Sequence, residues 1–600
     1  MLRLSNVEHL HVQDQASKGD SSSGEEKRGL LHSFSRAFNI TSAIQIHANK
    51  QATMKKIPES SATTSLALLV ATYKYHVIYS SLYVLMAVWS WQAATKLLQN
   101  NAAPTTTTYV CVAIYYLITG LAALALKSEL SYVMARRGLP PGDSGPLPLV
   151  GCFFQLLSDP QAFFVARKMM YCQNPLSSSS TMSTVNIFQY PTVIVSSDED
   201  VQWVSTLERK GIVSAHALPH LKRMLGEESI MVKSGDEHKR LRKVFEPAFT
   251  PLAIRDYAST MDTIAQERLA KWEAAQDFQG PREWALLAMK IFFVCAFGSA
   301  DEAFMTKLAH LFENWMDGFR AIVPFNIPGT QYARGLYFKN ELGKLLKEMI
   351  EDFKAQNPPE SQAAQKSVMG RLCYAVDEDG NTPTEAQLVD NLRFFLFAGF
   401  DTTKGSFGGI SHFLKQNPKA EAFLAEEVQK FPMDGPLDVD QIKNEAPILN
   451  AVLAETWRLT APLDSHPMVL NEDVEYKGYF MPKGCKIATE IQGYNAANHE
   501  RFPRADEFHF ERWLSKEHPL YDPAIANKDV IDYNVMNVKF RSFNMGSHMC
   551  LGGHFAKLEV RIVLIRLLQK YRFEIRNESV NRFPIKQFLN DFKITKRETQ

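Results

Sequence analysis

The sequence predicts a mainly α-helical protein with small β-sheets, preceded by helices suited to a membrane. Three observations predict it. Apolar residues recur at helical spacing through most of the chain after residue 152. Short β-rich runs bounded by glycine and proline stand around Val185–Ser196 and Val474–Glu490. Two long apolar stretches come before that body. The 600 residues carry a formal net charge of +1, which gives no electrostatic case for a nucleic-acid partner. The 7 cysteines are scattered, odd in number and free of any CxxC pair. That argues against a disulfide framework or a structural zinc site and for a reducing compartment.

Residues 1–63 are rich in Ser, Lys, Glu and Gln and are expected to form a disordered, polar extension. Glu8, Asp14, Asp20, Glu25 and Glu26 argue against a transit peptide, since those are poor in acids. Residues 64–127 hold the apolar stretches, at about 77–98 and 109–126. The second is uncharged and matches the roughly 20 residues that cross a bilayer. The first contains Trp89 and Trp91 and follows Lys74 and His76. It is compatible with a span, an interfacial helix or a soluble helix. Lys50, Lys55 and Lys56 precede the pair, and Lys127, Arg136 and Arg137 follow it. If both stretches span, the positive-inside rule puts both ends in the cytosol. If only the second spans, the N-terminus is lumenal. The proline- and glycine-rich residues 128–151 read as a stiff hinge, and 152–600 as one large body.

The chemistry centres on "FNMGSHMCLGGHF", Phe543 to Phe555. It places Cys550 among glycines just before a helix carrying Ala556, Val560, Val563, Leu564 and Leu567 at helical spacing. Such a cysteine is a core filler, a nucleophile with His548 or His554 as base, or a metal ligand. Haem iron needs one axial protein ligand, and a thiolate serves. Gly546 and Gly552 would let the backbone turn sharply and lie close to a flat macrocycle. The loop resembles the haem-binding signature of the cytochrome P450 family, F-x-x-G-x-R-x-C-x-G. Phe543, Gly546, Cys550 and Gly552 match, and His548 stands where arginine is usual.

Other stretches carry the same resemblance, in the family's order. In "GDEHKRLRKVFEPAF", His238 and Arg242 share a helix face four residues apart, the pattern that contacts haem propionates. Alone it is a basic surface face, and one on which an acidic reductase would dock. Ala398 to Thr403 is similar to the oxygen-activation motif A/G-G-x-D/E-T-T/S. There Gly399 leaves room, Thr402 offers a hydroxyl inside an apolar helix, and Asp401 supplies protons. Glu455 and Arg458 stand at i and i+3 after an apolar run, so the pair should be largely buried and in need of partners. The resemblance supplies Arg512, in "FHFERW", as the third member of a structural lock. Met468 falls where the family often has a propionate-binding Arg or His, and His466 is the candidate replacement. A histidine-rich cradle is expected to lose haem as pH falls.

The resemblance covers roughly Pro140 to the C-terminus. It implies a haem-thiolate monooxygenase that inserts one oxygen atom from dioxygen into a lipophilic substrate of sterol, terpenoid or fatty-acid kind. The implied cofactor is haem b, iron protoporphyrin IX, ligated by Cys550. There is no G-x-G-x-x-G segment, so electrons come from a separate partner. The implied partner is NADPH–cytochrome P450 reductase, with cytochrome b5 as a further donor. Phe394, Phe397, Ala398, Phe400, Asp464 and His466 are expected to line the substrate pocket. The expected location is the endoplasmic reticulum membrane with the body in the cytosol, a plastid membrane being the alternative. Two rival functions stand beside this one. One is a haem-thiolate isomerase or dehydratase that uses no oxygen, against which Thr402 and Asp401 argue. The other is a non-enzymatic haem sensor or carrier.

Overall fold

The computed structural model describes residues 61–99, 105–143, 145, 150–172, 181–188, 190–216, 219–321, 325–463, 465–529, 531, 540–581 and 587–597. The expected polar extension up to residue 60 and the expected pocket residue Asp464 lie outside them. The chain's contacts separate residues 1–66 from 67–600, and the body lies in the second unit.

The chain opens on α1 (Ser61–Gln99) and α2 (Thr106–Ala135). Thr105 caps α2, its hydroxyl accepting from the Thr108 amide at 3.3 Å. By length and composition α2 is able to cross a membrane. It continues past residue 128 into the stretch expected to be hinge, because Ser128 to Ala135 contain neither glycine nor proline. The turn comes instead at Gly138, whose φ of +85° suits glycine. Arg136 is buried and donates to the Gly142 carbonyl. The Tyr132 hydroxyl donates to the Asp143 carbonyl at 3.4 Å. The end of α2 is thereby fastened to the body.

Among the described residues, three sheets lie in the body. Strands β1 (Gly142–Asp143), β2 (Met182–Ile187), β3 (Tyr190–Val195) and β4 (Val213–Ala215) come before β5 (Asp277–Gln279). Then come β6 (Ser465–Leu470), β7 (Val474–Tyr476), β8 (Tyr479–Met481) and β9 (Lys486–Glu490), followed by β10 (Tyr571–Asn581) and β11 (Gln587–Lys596). The largest sheet has the order β1-β2-β3-β9-β6-β4, with β3 and β9 parallel and Val193 level with Ile487. β10 and β11 pair antiparallel and take β5 on their other edge, while β7 and β8 form a separate ribbon.

The helices that position the site are α3 (Asp198–Arg209), α4 (Gly235–Phe245), α5 (Pro251–Ala275), α6 (Gly280–Phe297), α7 (Glu302–Phe319), α8 (Gln331–Gln356), α9 (Glu385–Gln416), α10 (Pro447–Leu459) and α11 (Gly553–Lys570). α9 starts with a reciprocal cap between Thr384 and Gln387. Leu388, Leu392, Leu396, Phe407, Ile410 and Leu414 then bury one stripe of it in the main core. α11 is buried almost all round. Its Arg566, fully buried, meets Asp262 of α5 through two hydrogen bonds of 2.6 Å, as a buried charge requires.

Candidate active site

The segment before α11 folds as a loop that two helices hold. Glu208, in the last turn of α3, is buried and accepts from the Ser547 amide at 3.1 Å and from His548 Nδ1. Arg242, on α4, donates Nη1 to the Met549 carbonyl at 2.6 Å and to the Ser547 carbonyl at 3.2 Å. The Cys550 amide donates to the Phe543 carbonyl at 2.9 Å, closing the loop on itself. Gly546 has a φ of +69°, and a Cβ there would fall 2.4 Å from Glu208 Oε2. The left-handed backbone makes the sharp turn expected of Gly546, and the Glu208 carboxylate leaves little room for a side chain there. A Cβ on Gly552 would meet no atom within 4 Å.

His238 of α4 stacks on His548, ring centres 3.9 Å apart. His466 of β6 brings its ring to 5.3 Å from His548. Met468 instead packs in the core with Val213, Ile487 and Met545. Burial, aided by His548 and Arg242, lowers the pKa of His238 to about 3. Burial and His548 lower that of His466 to about 4. In the protein environment alone, both stay neutral through the mildly acid range. Burial pushes the Glu208 carboxyl up, but its hydrogen bond to His548 and the nearby charges outweigh this and hold it below its usual range.

Cys550 is exposed. The protein packed around its sulfur still raises the thiol's pKa, against the Gly552 amide and the Lys557 and Arg242 cations, which favour thiolate. Phe543 meets the Trp457 indole edge-on at 5.2 Å and lies under Lys557 Nζ at 4.5 Å. The Ser542 hydroxyl donates to the Trp457 carbonyl at 2.8 Å, and Trp457 Nε1 donates to Ser406 Oγ of α9 at 3.1 Å. α10 thus connects the cysteine loop to α9.

On α9, the Thr402 hydroxyl donates to the Ala398 carbonyl at 2.6 Å, the bonding that loosens a helix locally. A Cβ on Gly399 would meet no atom within 4 Å. Asp401 is buried and paired with Lys404, one turn on. Gln587 of β11 donates to the Asp401 carbonyl at 3.2 Å. Phe394, Phe397, Ala398 and Phe400 are half-buried. Phe397 stacks on Phe319 at 5.1 Å, and Phe400 meets Phe312 at 4.7 Å, so both lean on α7.

Glu455, Arg458 and Arg512 meet in the interior. Arg458 donates to both oxygens of Glu455, at 2.8 and 2.7 Å, and Arg512 Nε donates at 3.1 Å. Trp513 Nε1 and the His509 amide also donate to Glu455, at 2.8 and 2.9 Å. The arginines' remaining donors reach carbonyls of Asn495, Glu507, Ile525 and Pro503. Burial alone would raise the Glu455 carboxyl, but Arg458 and Arg512 keep it below its usual range. Sequence reasoning found this trio but missed Glu208 and Lys404, the partner of Asp401. Glu208 stands 340 residues from His548, beyond the reach of any local spacing.

Residues 140–597 match the Cytochrome P450 family profile. The chain belongs to the cytochrome P450 family. Similar curated proteins include abscisic acid 8'-hydroxylase 1 of Arabidopsis thaliana, 27% identical over 75% of this chain and 89% of that protein. Abscisic acid 8'-hydroxylase CYP707A1 of Solanum lycopersicum is 27% identical over 73% and 86%. Among solved structures, a retinoic acid-bound cyanobacterial CYP120A1 superposes with a TM-score of 0.64 at 21% identity, over 76% of this chain and 99% of that one. The heme domain of cytochrome P450DA gives 0.63 at 18% identity. The P450 fold is the mainly α architecture with small sheets described above, and the protein is a haem-dependent monooxygenase that uses dioxygen. The residues of this P450 fit a haem. Cys550 offers a thiol in a braced loop, His548 Nε2 is buried with no hydrogen-bond partner among the described residues, and Gly399 and Gly552 leave space beside the backbone.

Proposed function

We propose that Cys550 is the axial ligand of haem b, and that the protein hydroxylates a lipophilic small molecule with electrons from an NADPH-dependent reductase. One observation carries this reading: an exposed thiol in a loop that Glu208 and Arg242 brace from two helices. Haem bound there supplies the activation of dioxygen. The protein does the rest. Burial favours the Cys550 thiol, and the Gly552 amide, Lys557 and Arg242 pull against it toward the thiolate that iron would take. His548 Nε2, His238 and His466 form a nitrogen-rich surface suited to the propionates. Thr402 holds a hydroxyl beside the open side of Gly399, and Asp401 passes protons to Thr402 Oγ1. Phe394, Phe397, Ala398 and Phe400 orient the substrate and exclude water. Asp464 is assigned to the pocket on sequence alone. Glu455, Arg458 and Arg512 are structural.

The curated relatives, named for hydroxylating abscisic acid, favour a small terpenoid acid among the candidate classes. The endoplasmic reticulum membrane is the proposed site, with cytochrome b5 as a second electron donor. The test uses full-length protein in microsomes. A screen of abscisic acid, sterols, other terpenoids and fatty acids should find a ligand that shifts the haem spin state and is hydroxylated only with NADPH and reductase. Product formed without reductant would favour the isomerase reading instead. Cys550→Ala should abolish the thiolate-type spectrum of the reduced carbon monoxide complex, and a normal spectrum would end the proposal. Thr402→Ala should keep that spectrum while NADPH use runs ahead of product.

A further inference from the structure

The two N-terminal helices pack on each other. Trp89 of α1 meets Tyr115 of α2 edge-on at 5.7 Å, and Trp91 meets Tyr116 at 5.7 Å. With the connection falling between Gln99 and Thr105, these contacts make an antiparallel hairpin. Small and fitted residues fill its seam. Ser90 and Ala94 are fully buried on α1, as are Val112 and Ala122 in large part on α2. The outward residues are apolar on both helices: Leu82, Leu85 and Val88 on one, Ile114, Leu117 and Leu121 on the other, all exposed. Soluble proteins rarely leave that much continuous apolar surface uncovered.

Charge and length say what covers it. Tyr75 to Thr95 and Thr106 to Leu126 are each free of Lys, Arg, Asp and Glu. At roughly 1.5 Å per residue each run is about 30 Å long, the thickness of a bilayer's hydrocarbon core. In the antiparallel register the two runs lie side by side. Lys74 and Lys127 bound them at the end fastened to the body, and Lys96 at the loop end. Arg136 and Arg137 add to the body end, so the positive charge concentrates there.

We infer that α1 and α2 cross the membrane together as a two-helix hairpin, with a bilayer as the occupant of its outer surface. With the positive charge at the body end, the chain before α1 and the chain after α2 both lie on the cytosolic side. This goes beyond the catalytic reading and does not depend on it.

The sequence carries its own reporters. Asn39-Ile40-Thr41 and Asn577-Glu578-Ser579 are glycosylation acceptors that are modified only in the lumen. The full-length chain is expressed in eukaryotic cells with an N-terminal epitope, and in a second version with a long acceptor-bearing insert after Asn101. The expected result is glycosylation of the insert alone, with the epitope digested by protease added to intact microsomes. A glycan on Asn39, or a protected epitope, would mean a single span and overturn the inference. An unmodified insert would mean that neither helix crosses, and a glycan on Asn577 would put the body in the lumen. Both would overturn it as well.

Discussion

The Glu208 carboxylate holds His548 through Nδ1, in a contact where both side chains are more than nine-tenths buried. The same carboxylate caps the Ser547 amide, so one acid fixes both backbone and ring two residues from the proposed iron ligand. Hydrogen bonds to charged groups of this kind contribute about 1.5–3 kcal/mol. Glu208→Ala should therefore release haem about tenfold faster or more, tenfold being about 1.4 kcal/mol. Transfer of haem to an apoglobin acceptor measures the rate. Unchanged transfer would show that Glu208 is not needed to hold the loop.

Lys404 neutralises Asp401 within one turn of α9, with side chains 13% and 8% exposed. Lys404→Met leaves a buried carboxylate unpaired, a change that costs about 3–5 kcal/mol in such settings. A lowered unfolding temperature is expected, with partial recovery in Lys404→Met/Asp401→Asn. In the single variant NADPH oxidation should exceed product, and its pH profile should move. A profile identical to the parent's would remove Lys404 from proton delivery.

Glu455→Gln strands two buried arginines, Arg458 and Arg512, against a neutral amide. A loss of about 3–5 kcal/mol is expected, read as a lower urea midpoint. Acid should act in the same direction. The Glu455 carboxyl titrates lower in the folded protein than in the unfolded chain, where it sits near 4.5. The unfolded state then binds the extra proton first, and stability falls as pH drops below that value. The Gln variant should lack this part of the acid loss.

Glu559 of α11 behaves oppositely. It is buried, its Oε1 has no partner among the described residues, and burial raises its carboxyl well above 4.5. The folded state keeps a proton that the unfolded state has lost, so this residue destabilises increasingly as pH rises above 4.5 through the folded value. Glu559→Gln should be more stable than the parent at pH 8, by a margin that narrows toward pH 5. Thermal unfolding across that range checks it.

Much of the site was legible because its motifs are short. Cys550 with its glycines, and Glu455 with Arg458, announce themselves within a few residues. The second arginine, Arg512, came only with the family resemblance. Other features were not legible for identifiable reasons. In "DEDVQWVSTLER" Glu208 reads as part of a solvated charged face, and only the fold brings it under His548. Lys404 stood in plain view three residues from Asp401, but spacing alone does not reveal burial. Counting placed Met468 at the family's propionate position with His466 as candidate replacement, and the strand carries Met468 into the core and leaves His466 beside His548. The β10–β11 pair went unread although Tyr571, Phe573 and Ile575 alternate with the exposed Arg572, Glu574 and Arg576, the period of a half-buried strand.

Trp457 touches both halves of the site: its indole nitrogen reaches Ser406 on α9 and its ring abuts Phe543. A single stiff side chain therefore bridges α9, the side where substrate is expected, and the loop that carries Cys550. A guest that shifts α9 by a fraction of an ångström would press on the sulfur's surroundings through that indole. The braced surroundings of Cys550 would then sense, through a tryptophan, whether the pocket is filled.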